Sequence, residues 1–91
     1  MELRWTDAAA DDLERIADYL FDEIPEYAPV VISQIYEFPQ QLLQFPLRGR
    51  TGRKKGTREL VLPRLPYIIV YTVSGEVIHI ARILHGSQSY P

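Results

Sequence analysis

Residues 57–84 read TRELVLPRLPYIIVYTVSGEVIHIARIL, and three β-branched and aromatic runs stand out in them. They are TRELVLP (57–63), YIIVYTV (67–73) and EVIHIARIL (76–84). Runs of this kind, bounded by turn residues, read as strands. Ser74-Gly75 is a tight hairpin turn between the last two, and Arg64-Leu65-Pro66 joins the first two as another hairpin. The last run is apolar on both faces and is interrupted by His79 and Arg82, so alternation does not assign Arg82 to a face.

Toward the N-terminus the period changes. MELRWT alternates Leu3 and Trp5 against Glu2 and Arg4, a short strand. Thr6 can cap a helix, and Asp7 suits its positive first turn. Leu13, Ile16, Ala17, Leu20, Phe21 and Ile24 then follow helical spacing, which predicts helix 1 over about 7–23. Asp11, Asp12, Glu14, Asp18 and Asp22 fall on its other sides. Pro25 ends it. Val31, Ile35, Phe38, Leu42 and Phe45 form a second helical stripe within 26–45. Pro29 fits a first turn, whereas Pro39 inside a helix removes a hydrogen bond and clashes, so a kink or break is expected near 35–39. The order β-α-α-β-β-β predicts one α+β domain over 1–91: an N-terminal strand, then a helical hairpin packed on one face of an antiparallel sheet.

The 91 residues suit one small domain, and 46% hydrophobic content excludes a disordered chain. No apolar run approaches the roughly 18 residues of a membrane span, and the first residues lack a signal peptide's basic and apolar regions. With no cysteine, disulfides, zinc–thiolate sites and thiol nucleophiles are excluded. A cytoplasmic location is the simplest expectation. The formal net charge of -2 hides an asymmetry: residues 1–47 hold ten acids and two bases, and residues 48–91 hold eight bases and two acids. Such imbalance points to a polyanionic partner.

Most of the positive charge lies in RGRTGRKKGTR (48–58), which reads as a loop. Its glycines match neither GxGxxG nor GxxxxGK[ST], and a strand rather than a helix follows, so a nucleotide cofactor is not expected. The glycines let the loop turn. Arg48, Arg50, Arg53, Lys54, Lys55, Arg58 and Arg64 make a positive rim. A nucleic acid, an acidic protein segment and plain solvation are equally physical readings of it. His79 and His85 lack metal-ligand spacing, and no metal is expected. His79 reads as a packing or surface residue. His85 ends the last strand beside Gly86, with Ser87, Gln88, Ser89 and Tyr90 close by, where an imidazole can serve as acid, base or phosphate contact. Glu59 and Glu76 are the only acids after Glu37, so no carboxylate pair shows itself, and no nucleophile elbow is present.

Four stretches in order, LRWTDAAADDLERIADYL, FPLRGRTGRKKGTREL, PYIIVYTVSGEVIHIARILHG and SQSYP, resemble the RelE/ParE superfamily of toxins from prokaryotic type II toxin–antitoxin modules. The resemblance spans nearly the whole chain. It implies a toxin neutralised in a hetero-oligomer by a cognate antitoxin, with the charge asymmetry directing an acidic or amphipathic antitoxin segment to the positive half. It implies no cofactor and one of two activities. ParE-like members poison DNA gyrase; RelE-like members cut ribosome-bound mRNA. The RelE-like motif resembling Y-R-L-V-Y reads YIIVY here, with Ile68 at the arginine, and RILHG looks ParE-like. Gyrase binding is therefore the leading expectation, with the basic rim and Arg82 as target or antitoxin contacts. Under the ribonuclease alternative, Arg58, His85 and Tyr90 form a reduced catalytic set. A degenerate, non-toxic partner-binding module is the third reading.

Overall fold

The structure is a computed structural model that describes residues 1–88 and residue 90. Ser89 and Pro91 of the SQSYP ending lie outside the described residues. The elements are β1 (Glu2–Trp5), α1 (Asp7–Glu23), α2 (Ala28–Glu37), a 3-10 helix (Phe38–Leu43), β2 (Arg50–Thr51), β3 (Arg58–Val61), β4 (Tyr67–Ser74) and β5 (Val77–His85).

Helix α1 has the bounds that its spacing predicts. Thr6 explains its start: the hydroxyl accepts from the Ala9 amide at 3.1 Å and donates to the Ala81 carbonyl at 3.0 Å, while its own amide reaches the Ile80 carbonyl. One residue thus caps the helix and ties it to the last strand, where a cap alone contributes about 1 kcal/mol. The second helical stretch breaks inside the predicted window. The α-helix ends at Glu37, and Pro39 sits in the first turn of the 3-10 helix, where its missing amide costs nothing.

The sheet order is β1-β5-β4-β3-β2. It is mixed rather than wholly antiparallel, because β1 lies parallel to β5, with Glu2 opposite Val77 and Trp5 opposite Ile80. The free edge of β5 accepts a strand in either direction, and alternation carries no information about direction. The basic run is not all loop: Arg50 and Thr51 pair with Glu59 and Arg58. The β4–β5 turn also lies one residue later than expected, at Gly75 and Glu76, with Gly75 at a φ of 60°.

A bulge accounts for part of the two-sided apolar character of the last strand; Leu84, level with Ile68, is buried outside the main core. Val70 faces Arg82 while Tyr71 faces Ile80, so Ala81 is the extra residue. Ile78, Ile80 and Ile83 can therefore all join Ala9, Ile35, Leu42, Leu60, Ile69 and Tyr71 in the core beneath the helices. Each fully buried Ile or Leu contributes about 1.5–3 kcal/mol. Phe21, Ile24 and Phe45 belong to the predicted stripes but remain exposed, since the two helices do not cover the ends of their own apolar faces.

Candidate functional site

The basic segment is organised around an acid. Glu59 on β3 is 1% exposed, and its carboxylate accepts from the Arg50 guanidinium at 3.0 Å, the Arg53 amide at 3.0 Å and Arg53 Nε at 3.1 Å. Burial alone would raise the Glu59 pKa. The hydrogen bonds from the Arg53 amide and side chain and from Arg50 outweigh it and hold the carboxyl below its ordinary value. Two other arginines are occupied by uncharged acceptors. Arg58 donates to the Gly49 carbonyl at 2.8 Å and the Leu47 carbonyl at 3.3 Å; Arg48 donates to Gln41 and lies over the Phe45 ring. Buried Tyr71 completes the junction, donating to the Pro46 carbonyl and accepting from the Gly49 amide.

The glycines of this run do different work from turning alone. A Cβ at Gly49 would meet the Tyr71 ring and hydroxyl at 2.6 and 2.7 Å, and one at Gly52 would meet the Thr57 carbonyl oxygen at 2.8 Å. Both are glycine because backbone passes close to another element. Gly56, at a φ of 82°, makes the turn.

A second buried acid holds Arg82. Asp12 on α1 is 3% exposed rather than on the helix's outer side, and its carboxylate accepts from Arg82 Nε at 2.7 Å and Nη2 at 3.1 Å. It also accepts from the Ile83 amide at 2.9 Å and pairs with Arg15. Arg82 shares a register row with Val70 and Glu59, and its guanidinium reaches Asp12 at the edge of β5 where β1 has ended. The ion pair with Asp12 raises the Arg82 pKa.

Arg58 and His85 do not converge. Arg58 lies level with Tyr71 on β4, and His85 lies level with Tyr67. Four residues along β4 and two strands across separate them by more than about 13 Å. Exposed His85 accepts from the Ser87 amide through Nδ1 and meets the Tyr67 ring edge-on. Tyr90 lies with its ring 5.8 Å from the Arg53 guanidinium. Lys54 and Lys55 sit at the tip between β2 and β3, and Arg64, at a φ of 64°, lies in the β3–β4 turn at the other end of β3. The positive rim is thus two separate groups.

His85 instead borders an open groove of about 520 Å³ between α1, the start of α2 and the β3–β4 turn. Leu20, Ile24, Val31, Leu65 and Ile83 give it apolar walls, with Tyr19 and Arg15 at its rim. Among the described residues no group of three or more His, Asp or Glu is placed to hold a metal ion, and no helix is long and apolar enough to cross a membrane.

Sequence reasoning missed Asp12, Glu59 and Tyr71 as organising residues. Asp12 was detectable, since it precedes Ile16 and Leu20 at steps of four and so falls on the buried stripe. Glu59 had a weaker signal: it is the one acid of the third quarter of the chain, set directly beside the basic run. Tyr71 had none, because any strand aromatic has the same appearance.

A family model described as the ParE toxin of the type II toxin–antitoxin system parDE matches residues 3–90. The toxin RelE2 of Caulobacter vibrioides is 32% identical over 84 residues, covering 92% of this chain and 93% of that protein. A chain of the chromosomal ParDE toxin–antitoxin system from P. aeruginosa superimposes with a TM-score of 0.85 at 35% identity, covering 93% of this chain and 95% of the other. A chain of the RelBE2 toxin–antitoxin complex from Mycobacterium tuberculosis superimposes with a TM-score of 0.67 at 27% identity, covering 92% and 88%.

Proposed function

The chain belongs to the family of ParE toxins of type II toxin–antitoxin systems, and from that premise we propose that it acts by binding, as an inhibitor of DNA gyrase, rather than by cutting RNA. The observation that carries this reading is the separation of Arg58 and His85 along the sheet. Metal-free RNA cleavage needs a base, an acid and cations that converge on one phosphate. Arg58 holds the carbonyls of Leu47 and Gly49, His85 stands at the far end of the sheet, and Tyr90 lies beside Arg53. Ile68, at the position of the RelE-like arginine, is buried in β4. A toxin that acts through shape requires no such convergence.

The partner in this reading is a cognate antitoxin, since the two solved structures described above come from toxin–antitoxin systems. Its neutralising segment lies in the apolar groove between α1 and the β3–β4 turn, in the cytoplasm where gyrase works. Purified protein is expected to abolish gyrase supercoiling and to accumulate cleaved DNA–gyrase complexes; undisturbed supercoiling at large excess would sink the proposal. Cleavage of ribosome-bound message, lost in Arg58→Ala and His85→Ala, would install the RelE-like activity instead. Normal growth of a bacterium that makes the soluble chain alone would leave only the partner-binding module.

A further inference from the structure

The basic hairpin would look like a polyanion site if its acid were overlooked. Arg50, Arg53, Lys54 and Lys55 fall within six positions. A guanidinium, a second guanidinium and a backbone amide converge on two oxygens at 3.0–3.1 Å, which is the donor set that proteins offer to phosphate. The oxygens belong to Glu59. We propose that Glu59 sets the selectivity of this hairpin: its carboxylate fills, from inside the molecule, the cradle in which a phosphate would sit, and so withholds Arg50 and Arg53 from nucleic acid.

Three features support the assignment. The acid is fixed from below, being 1% exposed in a strand paired on both sides, so an incoming phosphate cannot displace it without opening β3. The arginines themselves are at the surface, with side chains 59% and 39% exposed, so they are reachable and their silence needs a cause. Third, the acid is nearly alone: Glu59 and Glu76 are the only acids in residues 48–91, and Glu76 lies in the β4–β5 turn, where its carboxylate approaches the N-terminal amine. A hairpin with four open cations would hold the chain on bulk nucleic acid through counterion release, whatever its sequence. Glu59 leaves Lys54 and Lys55 as the open cations of the tip, since among the described residues neither makes an ion pair.

The test uses the full chain and a short DNA duplex of arbitrary sequence, titrated by fluorescence anisotropy between about 50 and 200 mM salt. Glu59→Gln keeps the size of the side chain and removes its charge. It is expected to bind at least tenfold tighter at the lowest salt and to steepen the dependence of log K on log salt by about 1–2. Equal affinity and slope in a variant whose circular dichroism is native would overturn the proposal, because a merely structural acid would leave the slope unmoved. Should Glu59→Gln fail to fold, single substitutions in the native background decide. Arg50→Gln is expected to leave duplex binding unchanged, absent binding included. A fall in slope of about 0.9 in Arg50→Gln would mean that the arginine already contacts phosphate, and would overturn the proposal. Neither readout involves gyrase, the ribosome or an antitoxin, so failure here leaves the proposed target untouched.

Discussion

At Gly49 a side chain has nowhere to go. The added Cβ of Gly49→Ala would stand 2.6–2.9 Å from Tyr71 and from the Glu59 carbonyl, two groups already locked by the core and by the β2–β3 ladder. A loss of about 1–3 kcal/mol is expected, read from urea unfolding at unchanged slope. Gly86→Ala, whose Cβ meets only the Pro66 carbonyl at 3.6 Å, should stay within about 0.5 kcal/mol. Glu59 makes a prediction about pH. Its folded pKa is depressed, so the stability it supplies is complete above the unfolded carboxylate value of about 4.3 and is lost as pH falls from there toward the folded value. The stability gap between the native chain and Glu59→Gln should therefore narrow between about pH 5 and pH 3; a constant gap across that range would contradict the clamp. Residue roles of this kind were the least legible in the sequence. The basic run announced its charge, but charge says nothing of where each guanidinium points, and the partners of Arg53, Arg58 and Arg82 come from β3, the chain before β2 and α1.

Elements were more legible where two local signals agreed. Helix α1 has a capping threonine at one end, a proline just past the other and continuous periodicity between, and its bounds follow from them. Strand β1 was visible as a strand, but its parallel pairing depends on where the chain returns after seventy residues, which no local signal records. Strand β2 was invisible because two polar residues have no period. The weld between α1 and β5 yields a further prediction. Asp12→Ala leaves Arg82 and the Ile83 amide without their acceptor at a site only 3% exposed, and should cost about 3 kcal/mol by urea denaturation. Glu14→Ala, an exposed acid on the same helix, should cost less than about 0.5 kcal/mol. The groove beside that weld is the place where the antitoxin reading can be tested at this scale. Ile24→Asp, at the C-terminal end of α1 and 37% exposed, should cost about 1 kcal/mol of stability while weakening the antitoxin complex at least tenfold by calorimetry.

At the scale of the molecule, the division into an acidic and a basic half is real in sequence and muted in three dimensions. Five of the eight bases after residue 47 are engaged internally: Arg50 and Arg53 by Glu59, Arg82 by Asp12, Arg48 by Gln41, and Arg58 by two carbonyls. The fold class and the family were legible because period, element order and motif order agree over the whole length. Charge was only half legible, because the number of cations in a run carries nothing about their partners. An antitoxin complex held by the apolar groove should lose only a few-fold in affinity between about 50 and 200 mM salt. A loss of about a thousandfold or more over that range would return the interface to the basic rim. Both borders of the sheet are short, four residues in β1 and two in β2, and β1 carries Glu2 and Arg4. Blunt, charged borders are poor templates for a second sheet to grow upon. Two copies of this chain that meet edge to edge therefore have little exposed ladder through which to add to one another.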